Sequence, residues 1–415
     1  MTMKPTIELI TERAKLVKGE RQNVDLLIRI TPPELKPTSA KRPKLNIGIA
    51  LDRSGSMGGP KMQHAREAAK YCVDQLLASD YFSAVIFDDQ VDVLFTNQAV
   101  SDREILKRGL DRIQARNSTA LHEGWVKAGL QVSEGFDPEA INRVLLITDG
   151  MANVGETNID RIVSQAGELA SKGITTTTIG IGSDFNEDLL MPMAEAGRGN
   201  AWHVSEPQDA LAIFETELQG LIMQFGHGVC LNLQCADGVR IVDLLNDFEK
   251  DQNGGYVLPD LLSGSPLNIV VRLDVPGELS DSRLIDISLS YTNRESGAEE
   301  SISLTFLPEF DTKEAVEALE ADLEVQEAVV LLMNARARSE AMQDVDLGQA
   351  GLASYRLIAS RVAAAELFSR TRTKALQDEI DDLDSVNHLL MSRGNNPMAR
   401  KRLAYRRERT RKGKE

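Results

Sequence analysis

The stretch Leu45-Asn46-Ile47-Gly48-Ile49-Ala50-Leu51-Asp52-Arg53-Ser54-Gly55-Ser56 carries the most information about this chain. Its first seven residues are a nearly continuous apolar run, which is typical of a strand that is buried on both faces. One carboxylate and two hydroxyls follow at alternate positions, before a helical pattern that begins at Lys61. Three small oxygen ligands on such a turn suit a hard divalent cation such as Mg²⁺.

A second apolar run ends in a similar way, about a hundred residues later in the chain. Val144-Leu145-Leu146-Ile147 is followed by Thr148-Asp149-Gly150. Because parallel strands bring their carboxyl ends to the same edge of a sheet, we expect Asp52 and Asp149 to lie close together. The two runs therefore predict one metal site that is shared between neighbouring strands.

Strand and helix patterns alternate from Leu45 to about Gly226, which predicts an α/β domain with a mostly parallel six-stranded sheet flanked by helices. The predicted strands are Leu45–Asp52, Ser83–Phe87, Val91–Phe95, Asn142–Thr148, Ile174–Ile181 and Ala201–Val204. The predicted helices are Lys61–Leu77, Asp102–Gln114, Leu121–Gly135, Asn158–Lys172, Glu187–Ala196 and Gln208–Phe225. Val91–Phe95 follows the previous strand too closely for a crossover, so we expect it to be an antiparallel edge strand.

The sequence on either side of this domain, assigned to residues 45–226, has a different character. Residues 228–310 contain strand patterns without intervening helices, which predicts an antiparallel β-sandwich. Residues 1–40 are also strand-like and are expected to join that sandwich, so that the α/β domain is an insertion in it. Residues 312–392 have the periodicity of a helical hairpin region, and residues 393–415 are predicted to be a basic flexible tail.

The charge of the chain is strongly acidic, with 47 Lys and Arg against 63 Asp and Glu and a net charge of -16. Such a balance argues against general nucleic-acid binding. The exception is the end of the chain, where residues 400–415 hold nine basic and two acidic side chains. The sequence has no apolar run long enough to cross a membrane, and Met1–Pro5 does not resemble a signal segment. We therefore expect a cytoplasmic protein without a membrane partner.

The strand, the Asp-x-Ser-x-Ser turn and the helix after it resemble the von Willebrand factor A domain and its metal ion-dependent adhesion site. Asp52, Ser54 and Ser56 match the first ligand loop of that site, Thr119 matches the second and Asp149 matches the third. Three loops in the right order are a far more specific signal than one short motif. Arg53 is a departure that places a cation beside the first ligand, where it could weaken metal affinity or contact an acidic partner.

The resemblance implies a function as well as a fold. It implies that Asp52, Ser54, Ser56, Thr119 and Asp149 hold Mg²⁺, with Mn²⁺ or Ca²⁺ as alternatives. It also implies that an Asp or Glu of a protein partner completes the coordination shell, so that the domain is an interaction module and scaffold rather than an enzyme. The wider arrangement is similar to bacterial A-domain proteins and, more distantly, to inter-alpha-trypsin inhibitor heavy chains. In the bacterial families the partners include AAA+ ATPases and signalling kinases or phosphatases.

Other functions stay open at this point. The same oxygen cluster could activate water in a metal-dependent phosphoester hydrolase, although the sequence offers no evident general base. The basic tail at residues 400–415 could instead make the protein a nucleic-acid-associated scaffold. Ser54 and Ser56 could also simply cap the following helix, and Asp149-Gly150 could be an ordinary turn.

Overall fold

The computed structural model describes residues 4–34, 42–116, 118–279, 282–393 and 397–413. Contacts divide the chain into two compact units. One unit is Pro37–Ile222, and the other combines Met1–Lys36 with Met223–Glu415. The second unit is therefore discontinuous in sequence, and along the chain the first unit comes between its two segments.

Strands and helices alternate in the middle of the chain, whereas the segment before it contains only strands and the segment after it contains strands followed by helices. The described strands are β1 (Thr6–Thr11), β2 (Lys15–Val17), β3 (Gln22–Thr31), β4 (Leu45–Asp52), β5 (Tyr81–Phe87), β6 (Val91–Ala99), β7 (Ile141–Thr148), β8 (Ile174–Ile181), β9 (Arg198–Val204), β10 (Gln224–Cys235), β11 (Arg240–Leu244), β12 (Tyr256–Val257), β13 (Leu261–Leu262), β14 (Leu267–Val275), β15 (Ile285–Asn293), β16 (Glu299–Phe306) and β17 (Glu309–Asp311). The described helices are α1 (Pro60–Gln75), α2 (Arg103–Asp111), α3 (Leu121–Glu134), α4 (Ile159–Ser171), α5 (Glu187–Ala196), α6 (Ala210–Ile222), α7 (Lys313–Glu317), α8 (Leu323–Asp346), α9 (Ala350–Thr371), α10 (Lys374–Arg393) and α11 (Pro397–Arg411).

The first unit is built on a six-stranded sheet with the order β6-β5-β4-β7-β8-β9. Every neighbouring pair is parallel except β5–β6, so the predicted antiparallel edge strand is confirmed. All eight residues of β4 and of β7 are buried, as expected for central strands covered by helices on both faces. The mostly parallel six-stranded α/β fold that the sequence predicts is confirmed.

The order of the strands places a crevice at the end of β4. From β4 the chain first moves to β5 and β6 on one side, and then returns to β7 on the other side. Leu51 of β4 is paired with Ile147 of β7, so the two strands end at the same level. In open α/β sheets such a reversal leaves a cleft outside the carboxyl ends of the strands, where ligands bind.

Helix boundaries follow from local capping. The side chains of Asp102 and Asn158 accept hydrogen bonds from backbone amides of the first turns of α2 and α4. These residues are therefore N-caps, and the helices begin one residue later than the sequence pattern predicts.

The prediction that helix Gln208–Phe225 reaches Phe225 is wrong. The helix α6 ends at Ile222 because the next residues enter β10, where Gln224 and Gly226 pair with β13.

The second unit contains two antiparallel sheets. One has the order β1-β3-β14-β11, and the other has the order β12-β10-β15-β16, with β13 also paired to β10. The amino-terminal strand β3 is paired along nine residues with β14, from Gln22–Val275 to Ile30–Leu267. Buried residues of both sheets, among them Ile28 and Ile287, belong to one hydrophobic cluster.

The carboxyl-terminal region is helical, as the sequence predicts. Val325, Ala328 and Leu332 of α8 pack against Leu27 and Val270 of the first antiparallel sheet. The helix α8 also contacts α9 and α11, and α9 contacts α10. None of the helices in the described part of the chain combines the length and apolar character needed to span a bilayer.

The expectation of a flexible tail at residues 393–415 is wrong for most of that segment. Residues Pro397–Arg411 form α11, and Ala399 and Leu403 on one face of it are buried in a cluster with residues of the other helices. The prediction failed because it rested on the basic composition of the segment and overlooked this apolar face. It also overlooked ion pairs within the chain, since Arg400 Nε lies 2.7 Å from Asp346 Oδ1.

Candidate metal site

The first loop of the site leaves the end of β4. Asp52 is fully buried, and its Oδ1 accepts a hydrogen bond from the backbone amide of Ser54 at 2.7 Å. Gly59 has a φ of 71°, a conformation that favours glycine, and Pro60 then begins α1. A carboxylate that bonds the amide two residues ahead makes a tight turn, so the two serines are held just beyond the strand.

The third loop meets the first through side chains. The Oγ of Ser54 lies 3.1 Å from the Oγ of Ser56, which in turn donates to Oδ1 of Asp149 at 2.8 Å. The hydroxyl of Thr148 donates to Oδ2 of Asp52 at 2.5 Å. Asp149 is also fully buried. The ends of β4 and β7 thus bring two carboxylates and their hydroxyl partners into one connected group.

The second loop is fixed by hydrogen bonds of the peptide group that joins Thr119 to Ala120. The amide of Ala120 donates to the carbonyl of Asp88 at 2.6 Å, and the amides of Asn153 and Val154 donate to the carbonyl of Thr119 at 3.3 Å. A methyl group added to Gly150 would lie 3.3 Å from Thr119 Oγ1 and 3.7 Å from Asp52 Oδ2. One small volume therefore adjoins both oxygens.

All the residues proposed as ligands from the sequence lie at the same edge of the sheet. They are Asp52, Ser54, Ser56, Thr119 and Asp149. Asp52, Ser54, Thr119 and Asp149 are buried, whereas Ser56 is exposed, so the group opens to solvent at Ser56. Solvent therefore reaches the cluster from the side of Ser56.

Arg53 does not fill the cleft with its charge, because it is engaged elsewhere. It is only 8% exposed, its Nε lies 3.1 Å from Asp88 Oδ2, and its Nη2 lies 2.5 Å from Asp92 Oδ2. Burial favours a higher pKa for Asp88, but the amide of Gln90 and the two guanidinium groups of Arg116 and Arg53 hold that pKa below its ordinary value. Arg53 thereby braces the edge of the site.

Lys61 is the residue that the sequence reasoning missed. Its Nζ lies 2.5 Å from Asp149 Oδ2, and its side chain is 22% exposed. A signal for it existed in the sequence. A lysine in the first turn of a helix is opposed by the positive end of the helix dipole, so a compensating anion should lie nearby.

The electrostatics of the group fit a divalent cation. Burial raises the pKa of Asp52 to about 6, and the charge of Asp149 acts in the same direction, against hydrogen bonds from Thr148 and Ser54. Two buried carboxylates so close together need positive charge, and Lys61 supplies it to one of them. An all-oxygen set of two carboxylates and three hydroxyls is suited to Mg²⁺, Mn²⁺ or Ca²⁺ rather than to a thiophilic metal.

The fold and the cleft define a class: a doubly wound α/β domain with an oxygen-rich group at its topological switch point. Residues 46–216 match the sequence model of the von Willebrand factor type A domain. The chain therefore carries a von Willebrand factor type A domain, and the resemblance to that domain is confirmed for this part of the chain.

Other proteins share the domain. An uncharacterized protein of Synechocystis is 28% identical over 179 residues, which cover 43% of this chain and 42% of that protein. Human inter-alpha-trypsin inhibitor heavy chain H2 is 29% identical over 175 residues, covering 40% of this chain and 18% of that one. The chain thus spans less than half the length of these curated relatives. A solved von Willebrand factor type A structure from Catenulispora acidiphila shares the fold over 93% of this chain and 90% of its own, with 18% identity and a TM-score of 0.69.

Proposed function

We propose that the type A domain of this chain is a non-catalytic, Mg²⁺-dependent module that binds a protein partner. The observation that carries the proposal is the meeting of two fully buried carboxylates, Asp52 and Asp149, with hydroxyls from separate loops at one edge of the sheet. The residues that would hold the ion are Asp52, Ser54, Ser56, Thr119 and Asp149.

The chemistry of these residues favours an acidic partner. When bound, the ion supplies a Lewis-acidic position for an incoming carboxylate. The hydroxyls are neutral, so the two carboxylates at most balance a divalent charge, and Lys61 contributes further positive charge. The amino terminus of α1 points its positive dipole end toward the same loops. An Asp or Glu side chain of the partner is therefore the ligand that this edge is built to attract.

The surroundings of the domain suit a scaffold. We propose that the two antiparallel sheets form a β-sandwich into which the type A domain is inserted, since β3 and β14 pair across the insertion. The partner classes suggested by the bacterial resemblance are AAA+ ATPases and signalling kinases or phosphatases. We do not propose nucleic-acid binding through α11, because Arg400 pairs with Asp346, and Arg411 and Lys412 pair with Glu408.

The proposal is tested in two steps with the full chain. Isothermal titration calorimetry first measures the binding of Mg²⁺, Mn²⁺ and Ca²⁺ to the wild type, to Asp52→Ala and to the control Asp111→Ala, which alters an exposed carboxylate that pairs with Lys70. Affinity capture from a lysate of the source cells, in Mg²⁺ and in EDTA, then uses the same three proteins. We expect one partner that is retained by the wild type and the control in Mg²⁺ only, and lost by Asp52→Ala.

The contrary results are specific. Capture that persists in EDTA, with removal of the metal verified by elemental analysis, contradicts the metal-dependent mechanism. A screen of the purified protein against phosphoesters addresses the non-catalytic part. Turnover that requires a divalent ion and disappears in Asp52→Ala would instead establish the alternative function, a metal-dependent phosphoester hydrolase.

A further inference from the structure

Helix α9 exposes a continuous apolar face. Leu352 is 42% exposed, Tyr355 70%, Ile358 47% and Val362 56%. The small residues Ala359 and Ala363 on the same side are exposed too. The opposite side of the helix packs into the helical region through Ala353, Leu357, Ala364 and Leu367. Single exposed apolar residues are ordinary on a protein surface, but a stripe along three turns marks an interaction surface.

The spacing of this face is that of a helix that packs on another helix. The exposed positions 352, 355, 359, 362 and 366 follow alternate steps of three and four residues. This is the heptad pattern of a coiled-coil seam, and Ile358 and Ala363 widen the seam on its two flanks. The pattern therefore favours another helix as the structure that covers this face.

The face is complementary to itself in one orientation. If two copies of α9 cross antiparallel with the symmetry axis level with Leu357, the large Tyr355 of each copy falls opposite the small Ala359 of the other. Leu352 falls opposite Val362. Large-to-small pairing of this kind lets facing residues interdigitate without voids.

The charges support the same orientation. Glu366 would lie beside the start of the other copy's α9, where the N-cap residue Gln349 makes no side-chain capping bond. A carboxylate is favourable at a helix amino terminus. A parallel pairing would instead place Tyr355 on Tyr355 and Glu366 on Glu366, which combines a steric conflict with repulsion of like charges.

We propose that this protein forms a homodimer in which α9 packs antiparallel against α9 of a second copy. The interface is isologous, because each residue meets the residue that its counterpart meets, as closed two-fold symmetry requires. The dimer is independent of the metal and of the partner proposed for the type A domain, since none of its residues lies in Pro37–Ile222.

The first test is the mass in solution. Sedimentation equilibrium and light scattering of the full chain between about 1 and 100 µM, a range that spans ordinary homodimer affinities, should give a dimer mass. Tyr355→Glu and Val362→Glu should each weaken the dimer by about tenfold or more, as expected for a central anchor of an interface. Both residues are exposed, so circular dichroism should show an unchanged melting transition of the monomer. Leu307→Glu alters an exposed leucine outside α9 and should leave the mass unchanged.

The second test is the register. In the antiparallel arrangement a Leu352→Cys/Val362→Cys double variant places each cysteine opposite the other kind and should form a cross-linked dimer on mild oxidation. Each single variant should not, because two identical positions then lie about 15 Å apart, too far for a disulfide. Wild type controls for cross-links through the free thiols of Cys72, Cys230 and Cys235.

A monomer across the whole concentration range overturns the proposal. A dimer that is unaffected by Tyr355→Glu and Val362→Glu overturns the assigned surface. Efficient cross-linking of Leu352→Cys alone overturns the antiparallel orientation. A changed mass only in the presence of another protein would mean that α9 receives a helix of a different partner.

Discussion

The ammonium group of Lys61 lies 2.5 Å from the carboxylate oxygen Oδ2 of Asp149, although 88 positions separate the two residues in the sequence. Lys61 is in the first turn of α1, and Asp149 follows β7. The pair neutralises a fully buried carboxylate beside Asp52, whose pKa burial raises to about 6. Lys61 thus occupies the place of a cation in the group that we propose to bind Mg²⁺, which makes lysine and ion competitors for one carboxylate.

We predict that Lys61→Met tightens Mg²⁺ binding by about tenfold or more, because a positive charge close to the ion is removed. In EDTA the same variant should lose about 1–3 kcal/mol of stability, since the charge of Asp149 stays buried without its partner. Calorimetric titration and urea unfolding measure the two effects. The matched control is Lys70→Met on the same helix, whose ammonium pairs with exposed Asp111. An unchanged affinity would show that Lys61 does not compete with the ion.

We predict that divalent ions stabilise the folded protein. At a Mg²⁺ concentration about a hundredfold above its dissociation constant, binding to the folded state adds about 2.7 kcal/mol and raises the melting temperature. Asp149→Asn should abolish this increment, because it removes one of two carboxylates in the group. Asp111→Asn, which alters an exposed carboxylate that pairs with Lys70, should retain it. Equal shifts in both variants would place the ion elsewhere.

We predict that Glu217 fixes α6 on the sheet. Its carboxylate is fully enclosed and accepts hydrogen bonds from Arg143, Thr177, Asn200 and Trp202. Glu217→Gln should cost about 3–5 kcal/mol, because Arg143 is then buried without its counter-charge. Glu215→Gln on the exposed side of α6 should change the stability by less than about 0.5 kcal/mol. Denaturant unfolding at neutral pH compares the two.

The same carboxylate should make stability sensitive to acid. Burial alone would raise the pKa of Glu217, but Arg143 and the hydrogen-bond donors hold it below the ordinary 4.5. Because the folded-state pKa is depressed, the contribution of the ion pair is complete above pH 4.5 and is lost as the pH falls below that value. Stability measured from pH 6 down to pH 3 should decline less steeply in Glu217→Gln than in wild type. Parallel declines would assign the acid sensitivity to other groups.

We predict that α11 is a structural part of the helical region. Leu403 is fully buried there, so Leu403→Ala should destabilise the protein by about 2–5 kcal/mol through lost burial and a residual cavity. Met391→Ala on α10 is the control, because Met391 is 66% exposed. Hydrogen exchange measures the protection of residues 397–411 directly. Fast exchange of those amides in wild type, together with an unchanged stability of Leu403→Ala, would support the flexible tail that the sequence predicts.

Much of the α/β unit could be predicted from the sequence because its signals are local. The apolar runs of β4 and β7 specify strands that are buried on both faces, and the Asp-x-Ser-x-Ser turn has its own internal hydrogen bond. The prediction of the edge strand β6 rested on the short distance to β5 along the chain, which is also local information. Signals of this kind can be recognised in the sequence without any knowledge of the fold.

Predictions failed where distant residues decide the outcome. The end of α6 depends on pairing between β10 and β13, and the order of α11 depends on burial of Ala399 and Leu403 against other helices. A basic composition predicts a solvated tail only as long as the acidic partners of Arg400 and Arg411 are unknown.

The sequence by itself determined the fold of the central domain and the five residues at the carboxyl ends of its strands. Hydrophobic periodicity and turn formation depend on residues that are close together in the sequence. Only the tertiary structure decided that Arg53 turns to Asp88 and Asp92, and that Lys61 pairs with Asp149. The physical reason is that charge pairing depends on distances through space, and these are set by the order of the strands rather than by position along the chain.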